Sequence, residues 1–275
     1  MPTPTLASVA ELKVIKRLRN GLLLDGGKLG QLLLPERELE TEAQPVSVKV
    51  FIYPDHEGEV RVTTQLPHLL VGEVGRLRVV SVSHAGAFLD WGLPKDLLLP
   101  HAEQTNTPEP GRWQTVLVLR DGAGRPFAST RLERHLQDTC TEFRQGDAVP
   151  LLLVQRTDLG FKVAVANRYW GLLQTEGRDD LRIGQRHTGY VQRLREDQRL
   201  SLSLSPPGVA KLDGLTDQIL ARLAQHNGKL ALGDKSDPAA IRAAFGCSKS
   251  AFKQAIGQLY KAHKLVIEAD GIRLP

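Results

Sequence analysis

Six arginines, Arg178, Arg182, Arg186, Arg193, Arg195 and Arg199, crowd one short stretch of the 275-residue chain, with Lys162 and Arg168 just before it. Guanidinium and ammonium groups at this density suit one chemistry above others. They neutralise phosphates, and a polyanion held this way is bound by a salt-dependent force. Asp179, Asp180, Glu196 and Asp197 dilute the run. Lys249, Lys253 and Lys264 carry the supply of cations toward the C-terminus, which suggests one continuous basic surface. The charge count agrees. Residues 1–66 hold 8 basic and 9 acidic side chains, 67–145 hold 9 and 9, 146–205 hold 9 and 7, and 206–275 hold 10 and 6. The whole net charge of +5 therefore comes from the second half.

Catalytic constellations are lacking. Gly27-Lys28 and Gly228-Lys229 are each followed by leucine, without the upstream glycine of a phosphate-binding loop. The 8 histidines stand singly, and the serines have no nucleophile-elbow context. Cys140 and Cys247 match no zinc or redox spacing. We therefore expect no catalysis, no cofactor and no metal. With 41% hydrophobic and 24% charged residues the composition is that of a soluble folded chain, and no apolar run could span a bilayer. The opening residues lack a basic segment followed by an apolar one. A cytoplasmic, reducing compartment is expected, with both thiols structural.

The elements that must position these cations repeat. Gly21–Pro35, Gly86–Pro100 and Gly160–Gln174 align without a gap. In each, a glycine opens an apolar run, a turn follows, and a second apolar run ends 14 positions after the glycine. A strand-like run precedes each (Leu12–Leu18, Leu77–Val82, Val149–Val154). A β-rich pair follows each (Val46–Phe51 with Val60–Thr64, Thr115–Leu119 with Phe127–Thr130, Gly189–Leu194 with Leu200–Ser205). Five short strands per repeat predict small closed or nearly closed barrels, with the glycine at a bulge or sharp bend. The alternative is three unrelated hairpins in one larger sandwich, which the constant offset disfavours. The longer second interval is absorbed by Arg131–Gln145, a polar helix or linker.

After Ser205-Pro-Pro-Gly208 the period changes. Leu215, Ile219, Leu220 and Leu223 have helical spacing up to a stop at Asn227-Gly228. Asp237 caps a helix that starts at Pro238 and ends at Gly246, and Ser248 caps the next. There Phe252, Ala255, Ile256, Leu259 and Tyr260 form one buried stripe, with Lys249, Lys253 and Lys261 off it. Leu265–Glu268 and Ile272–Leu274 flank a hairpin turn at Ala269-Asp-Gly271. Helix, strand, two helices and a β-wing make an α+β winged-helix domain, whose third helix enters a groove, or whose wing and helix pack against the last barrel or a protein partner.

The segment Val74–Glu103 (VGRLRVVSVSHAGAFLDWGLPKDLLLPHAE) resembles the S1-type RNA-binding domain, an OB-fold barrel. Ile183–Ser205 resembles its closing strands. The whole order is similar to the conserved virulence factor B family of bacterial RNA-binding proteins. The resemblance implies a mainly β chain of three consecutive small OB-fold (S1-like) barrels, at 1–66 (degenerate), 67–132 and 146–206. A linker or helix at 133–145 and a winged helix at 211–275 complete it. It also implies RNA-binding positions: His84 and Phe88 as aromatics around the glycine, and Arg125 as the basic residue near the last strand. The position for a strand histidine holds Pro100, and His101 is one residue off, on the opposite face by alternation. In the first repeat Arg19 and Leu23 occupy the His84 and Phe88 positions, so it reads as structural. In the third, Asp158, Lys162 and Arg199 match His84, Phe88 and Arg125, and Phe161, Tyr169 and Trp170 stack bases or fill the barrel.

The resulting expectation is a non-catalytic, monomeric protein that binds single-stranded RNA and regulates expression post-transcriptionally, virulence traits included. Its RNA contacts would be His84, Phe88, Arg125, Lys162, Arg168, Arg193, Arg199, Lys249, Lys253 and Lys264. Two rivals stand beside it: a duplex-DNA-binding transcription regulator acting through the winged helix, and a ribosome- or polymerase-associated scaffold docking through the first barrel.

Overall fold

A computed structural model of the chain describes residues 4–39, 45–174, 180–194, 197–205, 209–268 and 270–275. Arg178, Asp179, Arg195, Glu196, the Pro206–Gly208 break and Ala269 of the wing turn lie outside the described residues. The chain divides into two compact units. One comprises Met1–Thr141, Val149–Thr188 and Arg195–Ser201; the other comprises Glu142–Ala148, Gly189–Leu194 and Leu202–Pro275.

Strands β1 (Ser8–Leu18), β2 (Gly21–Asp25), β3 (Gln31–Pro35), β4 (Ser47–Pro54) and β5 (Val60–Thr63) pair antiparallel in the order β3-β2-β1-β4-β5, and the end strands meet. Strands β6 (Val74–Ser83), β7 (Gly86–Leu89), β8 (Leu97–Pro100), β9 (Trp113–Arg120) and β10 (Pro126–Ser129) repeat the plan as β10-β9-β6-β7-β8, again with end strands in contact. Strands β11 (Ala148–Thr157), β12 (Gly160–Val165), β13 (Tyr169–Leu173), β14 (Arg186–Leu194) and β15 (Leu200–Ser203) close fully as β11-β12-β13-β15-β14.

The repeat glycines are explained by close approach. Gly21, Gly86 and Gly160 have φ of 148°, 139° and 136°, where side chains are disfavoured. A Cβ on each would lie 1.9, 2.3 and 2.1 Å from the carbonyl oxygens of Leu34, Leu99 and Leu173. The bulge is elsewhere: the register shifts between Val14 and Lys16, Val79 and Ser81, and Leu153 and Gln155, always in the strand before the glycine. Of the two alternatives, bulge or sharp bend, the bulge falls on the longer neighbouring strand, and the glycine is required by the close approach of the paired strand's carbonyl.

Alternation breaks where barrels meet. On β4, Val50 and Ile52 enter the first core while Phe51 and Tyr53 join the second. Phe51 meets Trp91 edge to face, with centroids 5.5 Å apart. On β9, Val116 and Val118 face the second core, and Leu117 joins Leu132, Leu136, Leu152, Ala164 and Trp170 at the junction with the third barrel. Continuous apolar runs are what strands buried on both faces require.

Between these barrels, the helix alternative for Arg131–Gln145 is not realised: its one helical element is a 3-10 turn at Leu132–Arg134. Leu132, Leu136 and Cys140 anchor the connector, and Gln137 bridges to Tyr169.

The C-terminal residues form α1 (Val209–Gln225), β16 (Lys229–Leu230), α2 (Pro238–Phe245), α3 (Lys249–Lys261), β17 (Val266–Ile267) and β18 (Ile272–Arg273), with sheet order β16-β18-β17. Asp237 accepts from the Ala239 amide at 3.1 Å, Ser248 from the Ala251 amide at 3.2 Å, and Gly246 ends α2 at φ 63°. Leu215, Ile219, Leu223, Ile241, Phe252, Ala255, Ile256 and Leu259 share one core. Tyr260 does not join it: the residue is 54% exposed, which corrects the predicted stripe. At 100° per residue it sits about 80° around the helix from Phe252, beyond the edge of the buried face.

Candidate nucleic-acid interface

The second barrel's outer face is set by register. Ala87 and Leu89 are fully buried, so alternation turns Phe88 outward. Phe88 pairs with Ser81 on β6 and Leu98 on β8, making the row Ser81–Phe88–Leu98. The matching rows are Lys16–Leu23–Leu33 in the first barrel and Gln155–Lys162–Leu172 in the third. Only the second row carries an aromatic.

Beside Phe88 opens a cavity of about 540 Å³, lined by Phe127, Pro100, Leu98, Lys95, Asp96, Glu103, Asp121 and Arg125 among others. Arg125 is placed by a turn. Asp121 accepts from the amides of Ala123 and Arg125 at 2.9 and 2.8 Å, and its second oxygen takes Arg125 Nε at 2.7 Å. Those bonds from Arg125 hold the Asp121 carboxyl below its ordinary pKa. The terminal nitrogens of Arg125 have no partner among the described residues, and its side chain is 69% exposed. The other charges are less available. Burial pushes Lys95 down and Asp96 up, and Lys95 Nζ donates to the Asp55 carbonyl. Glu103 accepts from Ser129 Oγ at 2.6 Å. Aromatic rings beside one available guanidinium are the equipment for stacking a base and holding its phosphate.

The structure thus brings Phe88 and Arg125 to one cavity. His84 is exposed in the β6–β7 turn and does not line it; His101 is exposed while Pro100 and Ala102 line the wall. Phe127 and Asp121 were missed by sequence reasoning. Asp121 had a signal: Asp55 and Gly58 make the same turn in the first barrel, with Arg61 Nε 2.8 Å from Asp55. An Asp-x-x-Gly recurring at 55–58 and 121–124 marks it.

In the third barrel Phe161, Tyr169 and Trp170 are all buried, but not alike: alternation turns Phe161 and Tyr169 into the barrel, whereas Trp170 faces out and is covered at the junction with the second barrel. Lys162 Nζ lies 3.9 Å from the Trp170 ring centroid and 3.4 Å from Glu133, already engaged. Arg168 lies over Tyr169 at 5.4 Å, and Arg199 pairs with Asp197 at 3.8 Å. Arg193 is exposed on β14 and falls in the unit that holds the winged helix, while Lys162, Arg168 and Arg199 fall in the other. On α3, Lys253 is exposed and Lys249 half-buried; Lys264, just beyond it, is exposed. Among the described residues no group of three or more His, Cys, Asp and Glu could hold a metal, and no helix is long and apolar enough to cross a membrane.

An S1 domain family model matches residues 8–65 and 71–131, and a CvfB-like winged helix domain model matches 217–274. The chain is 26% identical to conserved virulence factor B of Staphylococcus haemolyticus, over 98% of this chain and 94% of that protein. It is 29% identical to the uncharacterized protein YitL of Bacillus subtilis, over 80% of this chain and 77% of the relative. Among solved structures, a crystal structure titled as a multidomain protein with nucleic acid binding domains, from Streptococcus pneumoniae, is 26% identical. It covers 98% of each chain, with a TM-score of 0.40.

Proposed function

Because the chain belongs to the conserved virulence factor B family, in which S1 domains precede a CvfB-like winged helix domain, we propose that it binds single-stranded RNA without cleaving it. The observation that carries this reading is the cavity shared by Phe88, Phe127 and Arg125. A base stacks on the outward-facing, half-buried Phe88 ring while the terminal guanidinium nitrogens of Arg125 take the adjoining phosphate. Cations elsewhere (Arg193, Arg199, Lys249, Lys253, Lys264) add sequence-independent attraction, and the protein acts in the cytoplasm as a monomeric post-transcriptional regulator.

The test is fluorescence anisotropy of the full chain with single-stranded RNA, single-stranded DNA and duplex DNA of matched length, over a range of salt. RNA bound most tightly, with affinity falling steeply as salt rises, supports the reading; a duplex DNA preference overturns it. One observation favours that second outcome: Tyr260 is exposed on α3, the helix that carries Lys253 and Lys261.

A further inference from the structure

We propose that Trp113 is a second stacking site for single-stranded RNA, with Arg76, Arg78 and Arg112 neutralising the phosphates around it. The inference rests on the RNA-binding reading and extends it to a different face of the second barrel, between β6 and β9.

Of the 3 tryptophans, Trp91 and Trp170 are buried, at 2% and 6% exposure, whereas Trp113 is 55% exposed. Gln114 is buried, so alternation at the start of β9 sends the indole outward. No partner for the indole N–H exists among the described residues. The surroundings are cationic. Arg78 is the cross-strand partner of Trp113, on the same face, and Arg76 follows opposite Thr115. Arg76 Cζ lies 5.7 Å from the indole centroid, and its Nη1 donates to the Ile183 carbonyl at 3.2 Å, which fixes the guanidinium beside the ring. Its Nε is buried without a partner. Neither Arg76 nor Arg78 is paired with a carboxylate among the described residues. Among the described residues the Arg112 side chain pairs with Glu109 alone, at 3.6 Å between side chains 77% and 70% exposed. An ion pair that open contributes little, so a phosphate can replace the carboxylate.

An exposed indole ringed by arginines fits a partner that has flat π-faces and dense negative charge, and single-stranded RNA has both. Position agrees. Arg78 and Ser81 lie on one strand, so Trp113 and Phe88 flank β6 on either side. At about 3.3 Å per residue and 4.8 Å per strand, their backbones are roughly 14 Å apart. A few nucleotides bridge that separation, and one strand of RNA can occupy both sites.

The test uses the full chain, an oligouridylate of about 12 nucleotides, and the variants Trp113→Ala, Trp113→Phe and Phe88→Ala. Trp113→Ala is expected to weaken binding about 5- to 150-fold, with Trp113→Phe recovering most of it. Saturating RNA is expected to quench tryptophan emission in the wild type and in Phe88→Ala, but not in Trp113→Phe. If Trp113→Ala and wild type bind alike while Phe88→Ala is weakened, the Trp113 site is overturned and RNA binding at the cavity stands. An emission spectrum that RNA leaves unchanged also overturns it. No binding by the wild type removes both readings together.

Discussion

Phe88 and Arg125 line one cavity, and in the proposed RNA site they would act through different forces, so salt separates them. Phe88 contributes a stacking face with no charge. Its truncation to alanine removes about 1–3 kcal/mol, a factor of about 5 to 150 in affinity. Because no counterion is released by a stack, the dependence of log K on log salt should keep its slope. Arg125 is half-tethered: Nε is held by Asp121 at 2.7 Å, and the two terminal nitrogens remain for one phosphate. Arg125→Ala should therefore flatten the slope by about 0.7, the value for one phosphate on a single strand. Arg125→Lys should keep the slope but bind less tightly, since an ammonium cannot be held by Asp121 through Nε while offering a planar fork. The assay is anisotropy of a labelled single-stranded RNA at a series of salt concentrations. A Phe88→Ala line that overlays the wild type refutes the stack. An unchanged slope in Arg125→Ala refutes the phosphate contact.

Three further outcomes follow from the geometry. Gly86→Ala should destabilise the barrel unit by about 2 kcal/mol or more, because the added Cβ meets the Leu99 carbonyl at 2.3 Å on a left-handed backbone; chemical denaturation measures it, and a loss under about 0.5 kcal/mol would contradict the close approach. Phe252→Ala empties a site fully buried among Ile219, Ile241 and Ile256 and should cost about 3–5 kcal/mol, read as early melting of the winged helix. Asp121 has a lowered folded pKa, so its stabilising turn is complete above the ordinary carboxylate range and is lost only as pH falls through the lowered value. Carboxyl NMR should place its midpoint below 3.8, and Asp121→Asn should remove that acid-range step; a midpoint at or above 3.8 would refute the Arg125 tether.

The barrels were legible because one steric demand recurs. Gly21, Gly86 and Gly160 each stand where a carbonyl approaches too closely for a side chain, and that keeps the apolar runs around them at constant offset. The winged helix was legible from its caps, since Asp237, Ser248 and Gly246 satisfy backbone groups that any helix end leaves open. The connector was legible only as a choice between helix and linker, and the linker holds. Leu132, Leu136 and Cys140 keep a spacing of four that a helix would also give, and here Leu132 and Leu136 take it from packing between two barrels, with Cys140 buried beyond them. Trp113 was missed because a single aromatic at a strand start has no periodic partner, and only the register with Arg78 reveals its arginine surround. Asp121 was missed because a turn carboxylate is defined by the amides it gathers, which a list of charges does not contain.

Register also explains why one barrel of three carries the proposed interface. Barrel interiors must be filled by apolar side chains, which fixes alternate positions in all three repeats. The outward row is under no such demand, so Lys16–Leu23–Leu33, Ser81–Phe88–Leu98 and Gln155–Lys162–Leu172 diverge while their bulges and glycines stay in place. In the third barrel the connector and Leu117 cover Ala164 and Trp170 next to that row, and Lys162 is spent on Trp170 and Glu133. In the first, leucines leave nothing for a base to stack on. The second barrel alone combines an outward ring with an arginine that its own turn holds in place and only half satisfies. In the proposed interface local net charge is therefore a poor guide to where a base would be gripped: residues 67–145 are neutral in sum, yet Asp121 serves to aim Arg125.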